Sequence, residues 1–164
     1  MRRYFKPLLV AAVLLFGVAV VWGLQQSNLS RSLPESLVLS NLQGQPVDLH
    51  DFQGQPLVIN FWATWCPPCI REMPLLASYA EKEGLTLVLI NQGETVDVIS
   101  DYLDDAGLSF EHLLLDPRQA ALQAMQVRGL PTTQFFDAQG RMVNEHTGEL
   151  HDEQLQQFVQ RYLQ

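Results

Sequence analysis

The sequence predicts an α/β sandwich, a central mixed sheet with helices on both faces. Two continuous apolar runs rich in β-formers, Pro56–Trp62 and Leu85–Ile90, have the composition of strands covered on both sides. Helical spacing follows each run, so strand and helix alternate. Both cysteines of the chain, Cys66 and Cys69, fall where the first run turns into its helix.

Taken in order, Leu37–Leu39 and Val47–Leu49 are short apolar segments around Asn41–Pro46, the pattern of a hairpin ahead of the main sheet. Asp51–Gln55 turns the chain into the strand that ends at Trp62. The first helix is expected from Cys66 to about Glu83, because Pro67 and Pro68 suit a first turn whose N–H groups have no partner anyway. Pro74 lies inside that helix and removes a hydrogen bond, and Gly84 is expected to end it. After the strand Leu85–Ile90, the spacing of Val96, Ile99, Tyr102 and Leu103 predicts a helix over Glu94–Ala106, stopping at Gly107. Phe110–Leu115 reads as a third core strand. Asp116 can cap a helix whose first residue is Pro117 and whose apolar face holds Ala120, Ala121, Ala124 and Met125. Thr132–Phe136 and Arg141–His146, joined by the turn Asp137–Gly140, form a second hairpin. Leu155, Phe158, Val159 and Tyr162 give the closing segment from Asp152 one apolar helical face.

Residues 1–24 are a separate object. Arg2, Arg3 and Lys6 precede an uncharged, almost wholly apolar stretch of 18 residues, Pro7–Leu24, near the ~20 that cross a bilayer core. No convincing cleavage site follows Trp22, and a signal peptide has a shorter apolar core, so an uncleaved transmembrane anchor is the better reading. The positive flank places the N-terminus in the cytoplasm and the rest of the chain outside. Residues 25–32 read as a polar tether, and 33–164 as one domain with no repeat or low-complexity run. Without the anchor's three cations the chain has 7 basic against 18 acidic residues. Nucleic acid is therefore an unlikely partner, since phosphate contacts need the opposite sign.

Two thiols separated by two residues at a helix N-terminus suit disulfide exchange. There the unpaired N–H groups and the helix dipole stabilise a thiolate, drawing the Cys66 pKa below the roughly 8.5 of a free cysteine. Cys69, almost a turn further in, is expected to be less exposed and to resolve the mixed disulfide that Cys66 forms. A structural zinc site needs four ligands, and of the four histidines only His146 and His151 have a paired spacing, far from the cysteines. Haem attachment needs a histidine directly after the second cysteine, where the chain has Ile70. An inert staple is the bland alternative; a two-residue loop preceded by two tryptophans is instead the profile of an accessible, labile bond. An extracytoplasmic compartment, such as a bacterial periplasm, is where disulfide substrates persist.

The segment Trp62-Ala63-Thr64-Trp65-Cys66-Pro67-Pro68-Cys69, joined to Gly129-Leu130-Pro131-Thr132 far downstream, resembles the thioredoxin superfamily. That resemblance implies a thioredoxin-like sandwich, with Pro131 in a cis peptide against the cysteine pair, Pro74 as the kink of the active-site helix, and Trp65, Leu130 and Pro131 meeting the substrate. A cis X-Pro bond would leave the Leu130 backbone free to pair with a client strand. The N-terminal β-hairpin and a central helix-strand insertion, roughly Glu94–Leu115, resemble the membrane-anchored TlpA/ResA-like group from about Leu33 to the C-terminus. Membership implies a thiol:disulfide reductase with protein clients, often serving cytochrome c maturation. It also implies a membrane electron donor of the DsbD/CcdA type and no cofactor beyond the redox-active disulfide Cys66–Cys69.

Two positions depart from thioredoxin or need a role. Thioredoxin has a buried aspartate six residues before the first cysteine, whereas this chain has Asn60, which does not titrate, so another group must take the proton of Cys69. In the ResA-like group a glutamate after the second main strand is placed near the cysteines, and Glu94 in Asn91-Gln92-Gly93-Glu94 resembles it. Glu94 is then either a proton shuttle or simply an acid opening the next helix. Prolines at both positions between the cysteines leave few N–H donors for the thiolate, which points to the reducing end of the redox scale. The competing functions are a disulfide oxidase using the same residues, a peroxidase, and a copper or haem chaperone using the thiols as soft ligands. The peroxidase lacks the peroxiredoxin pattern of Pro and Thr ahead of its cysteine, and copper chaperones of similar fold have three residues between their cysteines.

Overall fold

A computed structural model describes residues 31–163, together with Gly17. The expected anchor, Gly17 apart, and most of the expected tether lie outside the described residues. Among the described residues no helix is long and apolar enough to cross a membrane. The chain divides into two compact units, Met1–Arg31 and Ser32–Gln164, and the fold below is that of the second.

Seven strands form one sheet: β1 (Val38–Asn41), β2 (Pro46–Asp48), β3 (Leu57–Trp62), β4 (Thr86–Gln92), β5 (His112–Asp116), β6 (Thr132–Phe136) and β7 (Met142–Thr147). Their order is β2-β1-β5-β4-β3-β6-β7. The three central strands, β5, β4 and β3, run parallel, and antiparallel pairs close both sides. β3 is buried at every residue, as its unbroken apolar run requires of a strand covered on both faces.

Four helices flank this sheet: α1 (Pro67–Ala80), α2 (Val96–Ala106), α3 (Ala120–Ala124) and α4 (Asp152–Tyr162). On one face Val58, Trp62, Leu87, Leu89 and Phe135 meet Met73 and Leu76 of α1, Ile99 and Leu103 of α2, and Leu155 and Phe158 of α4. On the other, Ile59, Phe61, Val88, Ile90 and Phe136 meet Ala121 of α3, Leu49 of a 3-10 turn (Leu49–Phe52), and Leu33. The predicted mixed sandwich is therefore the observed one, N-terminal hairpin included.

Strand ends shift by one or two residues, and three helix boundaries move by two or more. α1 ends at Ala80, because Glu81, Lys82 and Glu83 offer no apolar residue for another packed turn. Gly84 lies in the turn beyond, with φ 80°, and a β-carbon there would come within 2.8 Å of Leu163 Cδ2. α2 starts at Val96, two residues late, because Glu94 is drawn into contacts of its own. Asp116 still belongs to β5, so Pro117 does not begin a helix; α3 begins only at Ala120. The capping expectation survives in altered form, since the Asp116 carboxylate accepts the N–H groups of Ala120, Ala121 and Leu122 at 2.7, 2.9 and 3.1 Å.

At the start of the unit the Leu33 N–H donates to Gly140 O at 3.0 Å, and Ser32 bridges Arg141, so the chain is fastened to the β6–β7 turn. Leu33 itself is buried.

Candidate active site

Cys66 is the N-cap of α1, in extended backbone conformation, and Pro67 and Pro68 fill the first two helical positions. A helix start ordinarily offers free N–H groups to its cap. Here the two prolines have none, so the first helical amide after Cys66 is that of Cys69, and the Cys66 side chain makes no cap hydrogen bond. The two cysteines are joined as a disulfide, with S–S 2.09 Å and Cα–Cα 5.3 Å. Cys69 is sealed at 0% exposure and Cys66 keeps 4%, the expected order, although the pair is less open than a freely accessible loop. The tryptophans part company. Trp62 is fully buried with its ring against Tyr102, whereas Trp65 is 66% exposed and projects from the turn just before Cys66.

The sheet register brings the other predicted residues to the same end. Phe61 pairs with Thr132, and Trp62 with Asn91, so the segments after β3 and β4 and before β6 are neighbours. The Leu130–Pro131 peptide is cis. Pro131 is buried, its carbonyl accepts from Gly148 N–H at 2.9 Å, and Leu130 packs against the cluster that contains both cysteines. Glu94 is half-buried, and its carboxylate accepts the Thr64 N–H at 2.7 Å, the Thr64 hydroxyl, and Asn91 Nδ2 at 2.7 Å.

Sequence reasoning missed Glu72. This residue is 1% exposed, one turn beyond Cys69 on α1, on the stripe formed by Cys69, Met73 and Leu76. Its Oε1 accepts from Asn60 Nδ2 at 2.7 Å and its Oε2 from Leu150 N–H at 2.5 Å. Asn60 Nδ2 also donates to Thr133 Oγ1 at 2.9 Å, while Asn60 Oδ1 is buried without a donor. Burial pushes the Glu72 carboxyl up from 4.5 to about 7, against the two hydrogen bonds that favour its charged form. The readable signal was an acid at a helical position whose neighbours three and four residues away are apolar. Asn60 is thus part of an acid-bearing network even though it does not titrate itself.

Among the described residues no group of three or more His, Cys, Asp or Glu side chains is placed to hold a metal ion.

The model of the AhpC/TSA family matches residues 31–144, most of the folded unit. The chain belongs to that family. It is similar to the thiol-disulfide oxidoreductase ResA of Halalkalibacterium halodurans, 33% identical over 129 residues that span 76% of this chain and 72% of that protein. ResA of Bacillus subtilis is 29% identical over 127 residues, 76% of this chain and 70% of its own length. Among solved structures, a secreted disulfide oxidoreductase of Mycobacterium tuberculosis is 28% identical with a TM-score of 0.66, covering 76% of this chain and 95% of that one. StoA from Bacillus subtilis shares the fold, with a TM-score of 0.67 at 22% identity over 79% of this chain and 99% of that one. Family and fold together make this chain a thiol-disulfide oxidoreductase of the thioredoxin-like class.

Proposed function

We propose that the chain is an extracytoplasmic thiol:disulfide reductase, anchored in the cytoplasmic membrane by residues 1–24 and working without a cofactor other than its own dithiol. The Cys66 thiolate attacks a client disulfide, its sulfur bonds to one client sulfur, and the other leaves as a thiolate. Cys69 then gives up its proton and attacks the Cys66 sulfur, so the second client sulfur is released and Cys66–Cys69 is closed. The client gains two electrons and two protons. A membrane dithiol donor of the DsbD/CcdA type would reopen the pair, and cytochrome c maturation is the process this assigns it to. Trp65, Leu130 and Pro131 would meet the client beside the thiols.

The observation that carries this reading is the buried acid one helical turn from the buried resolving thiol. Side chains three residues apart on a helix are neighbours, and a carboxyl pushed up to about 7 both accepts and returns a proton near neutral pH. Glu72 therefore supplies the proton acceptor that Asn60 does not. The extracytoplasmic placement is supported by the cationic, apolar first 24 residues and by the secreted relative from M. tuberculosis.

Trapping tests the proposal. A Cys69→Ala variant of the full chain, expressed in a bacterial host, should hold extracytoplasmic clients as mixed disulfides at Cys66, and apocytochromes c should be among them. Absence of mixed disulfides from that variant, with the chain folded, would overturn the reductase reading.

A further inference from the structure

The turn that delivers Cys66 is held by a side chain from a different part of the sheet. Residues Ala63–Cys66 form a tight turn closed by Cys66 N–H donating to Ala63 O at 3.2 Å, with Thr64 and Trp65 at its corner. The amide of the second residue of such a turn has no acceptor within it, and a half-buried amide needs one. Glu94 provides that acceptor at 2.7 Å and takes the Thr64 hydroxyl on its other oxygen. Glu94 is itself fixed by fully buried Asn91, whose Nδ2 donates to it and whose Oδ1 accepts its N–H at 3.3 Å. Asn91 lies in β4 opposite Trp62, the last residue of β3. One carboxylate therefore ties the end of β4 to the corner of the turn, with three donors on its two oxygens.

We propose that Glu94 is a positioning residue for thiol exchange, a clamp on Thr64 that fixes the turn presenting Trp65 and seating Cys66 at the head of α1. Its two oxygens hold the turn and Asn91, so its part in the reaction is to fix the backbone ahead of Cys66. The proposal rests on Cys66 being the attacking thiol. What it adds is that the geometry of attack is set from β4, through a residue two positions before the cysteine.

Two measurements on the folded chain test it. Hydrogen exchange of the Thr64 amide should be slow in the unaltered oxidised protein and at least about tenfold faster in Glu94→Ala, since a hydrogen bond to a charged acceptor is lost. Because amide exchange requires no client, this reads the clamp even where the assignment of Cys66 is at fault. The second is the rate of attack of the reduced protein on glutathione disulfide. It should fall at least about tenfold in Glu94→Ala and recover most of that loss in Glu94→Gln, whose amide head keeps the shape and pairs with the same three groups. Equal protection of Thr64 in Glu94→Ala and the unaltered chain would overturn the clamp. A Glu94→Gln as slow as Glu94→Ala would overturn positioning and make the ionisable proton the function. If Glu94→Ala does not fold, Glu94→Asp keeps the charge but draws the carboxylate back from Thr64 by one methylene; faster exchange of the Thr64 amide then supports the clamp, and unchanged exchange overturns it.

Discussion

Replacing Glu72 by Gln should change how stability depends on pH, and the size follows from where that carboxyl sits. Its pKa is 4.5 in an ordinary setting and about 7 in the fold, with burial as the dominant cause. Between those values the unfolded chain has released the proton that the folded chain still holds. The unfolded state then binds fewer protons, so stability falls as pH rises. The penalty is absent below pH 4.5 and complete above pH 7. At 1.36 kcal/mol per pKa unit the whole shift amounts to about 3 kcal/mol. Gln stays neutral throughout, so the constant costs of the substitution, including a poorer partner for Leu150 N–H, cancel when two pH values are compared. Urea unfolding of the oxidised proteins at pH 4 and pH 8 should show the variant gaining about 3 kcal/mol on the unaltered chain across that range. Parallel pH profiles would refute the argument, because they would mean that Glu72 ionises in the fold as it does in water. The same substitution should also flatten the pH dependence of mixed-disulfide resolution near neutrality, with Cys66 attack left intact.

Two further predictions follow from other features of the site and its frame. With prolines at both positions between the cysteines, the Cys66 thiolate has few amide donors, so equilibration against glutathione buffers should give a potential toward the reducing end; a value near the roughly −120 mV of a strong oxidant would contradict this. Asp116→Ala should leave the N–H groups of Ala120, Ala121 and Leu122 without their common acceptor and destabilise the domain by about 2–4 kcal/mol in urea unfolding, with the sheet itself preserved by circular dichroism.

Much of the architecture was legible because the signals are local. The run Pro56–Trp62 needs two covering faces, and Cys66-Pro67-Pro68-Cys69 needs a helix start; both are found where the composition puts them. What local pattern does not encode is long-range pairing. Nothing in Val38–Asn41 announces that β1 lies beside β5, seventy-odd residues later, with Ser40 opposite Leu115. Helix boundaries shifted wherever a side chain found a tertiary role: Asp116 stayed in its strand and capped from a distance, and Glu94 turned toward Thr64 in place of opening α2. Glu72 was hidden for a related reason. On a helix that reads as amphipathic, an acid is assigned to water unless the partners that satisfy it are known, and those partners, Asn60 and Leu150, come from β3 and from the loop before α4.

The fastening of Leu33 to Gly140 has a geometric consequence. Phe136, just before that turn, pairs with Leu57 at the start of β3, while Cys66 follows the strand's other end, so six residues, about 20 Å, separate the two. Leu163, close to Gly84 just ahead of β4, lies at the same remote pole. Within the described unit, Leu33 and Leu163 thus both lie at the base of the sheet, a full strand length from the crown that carries the sulfurs.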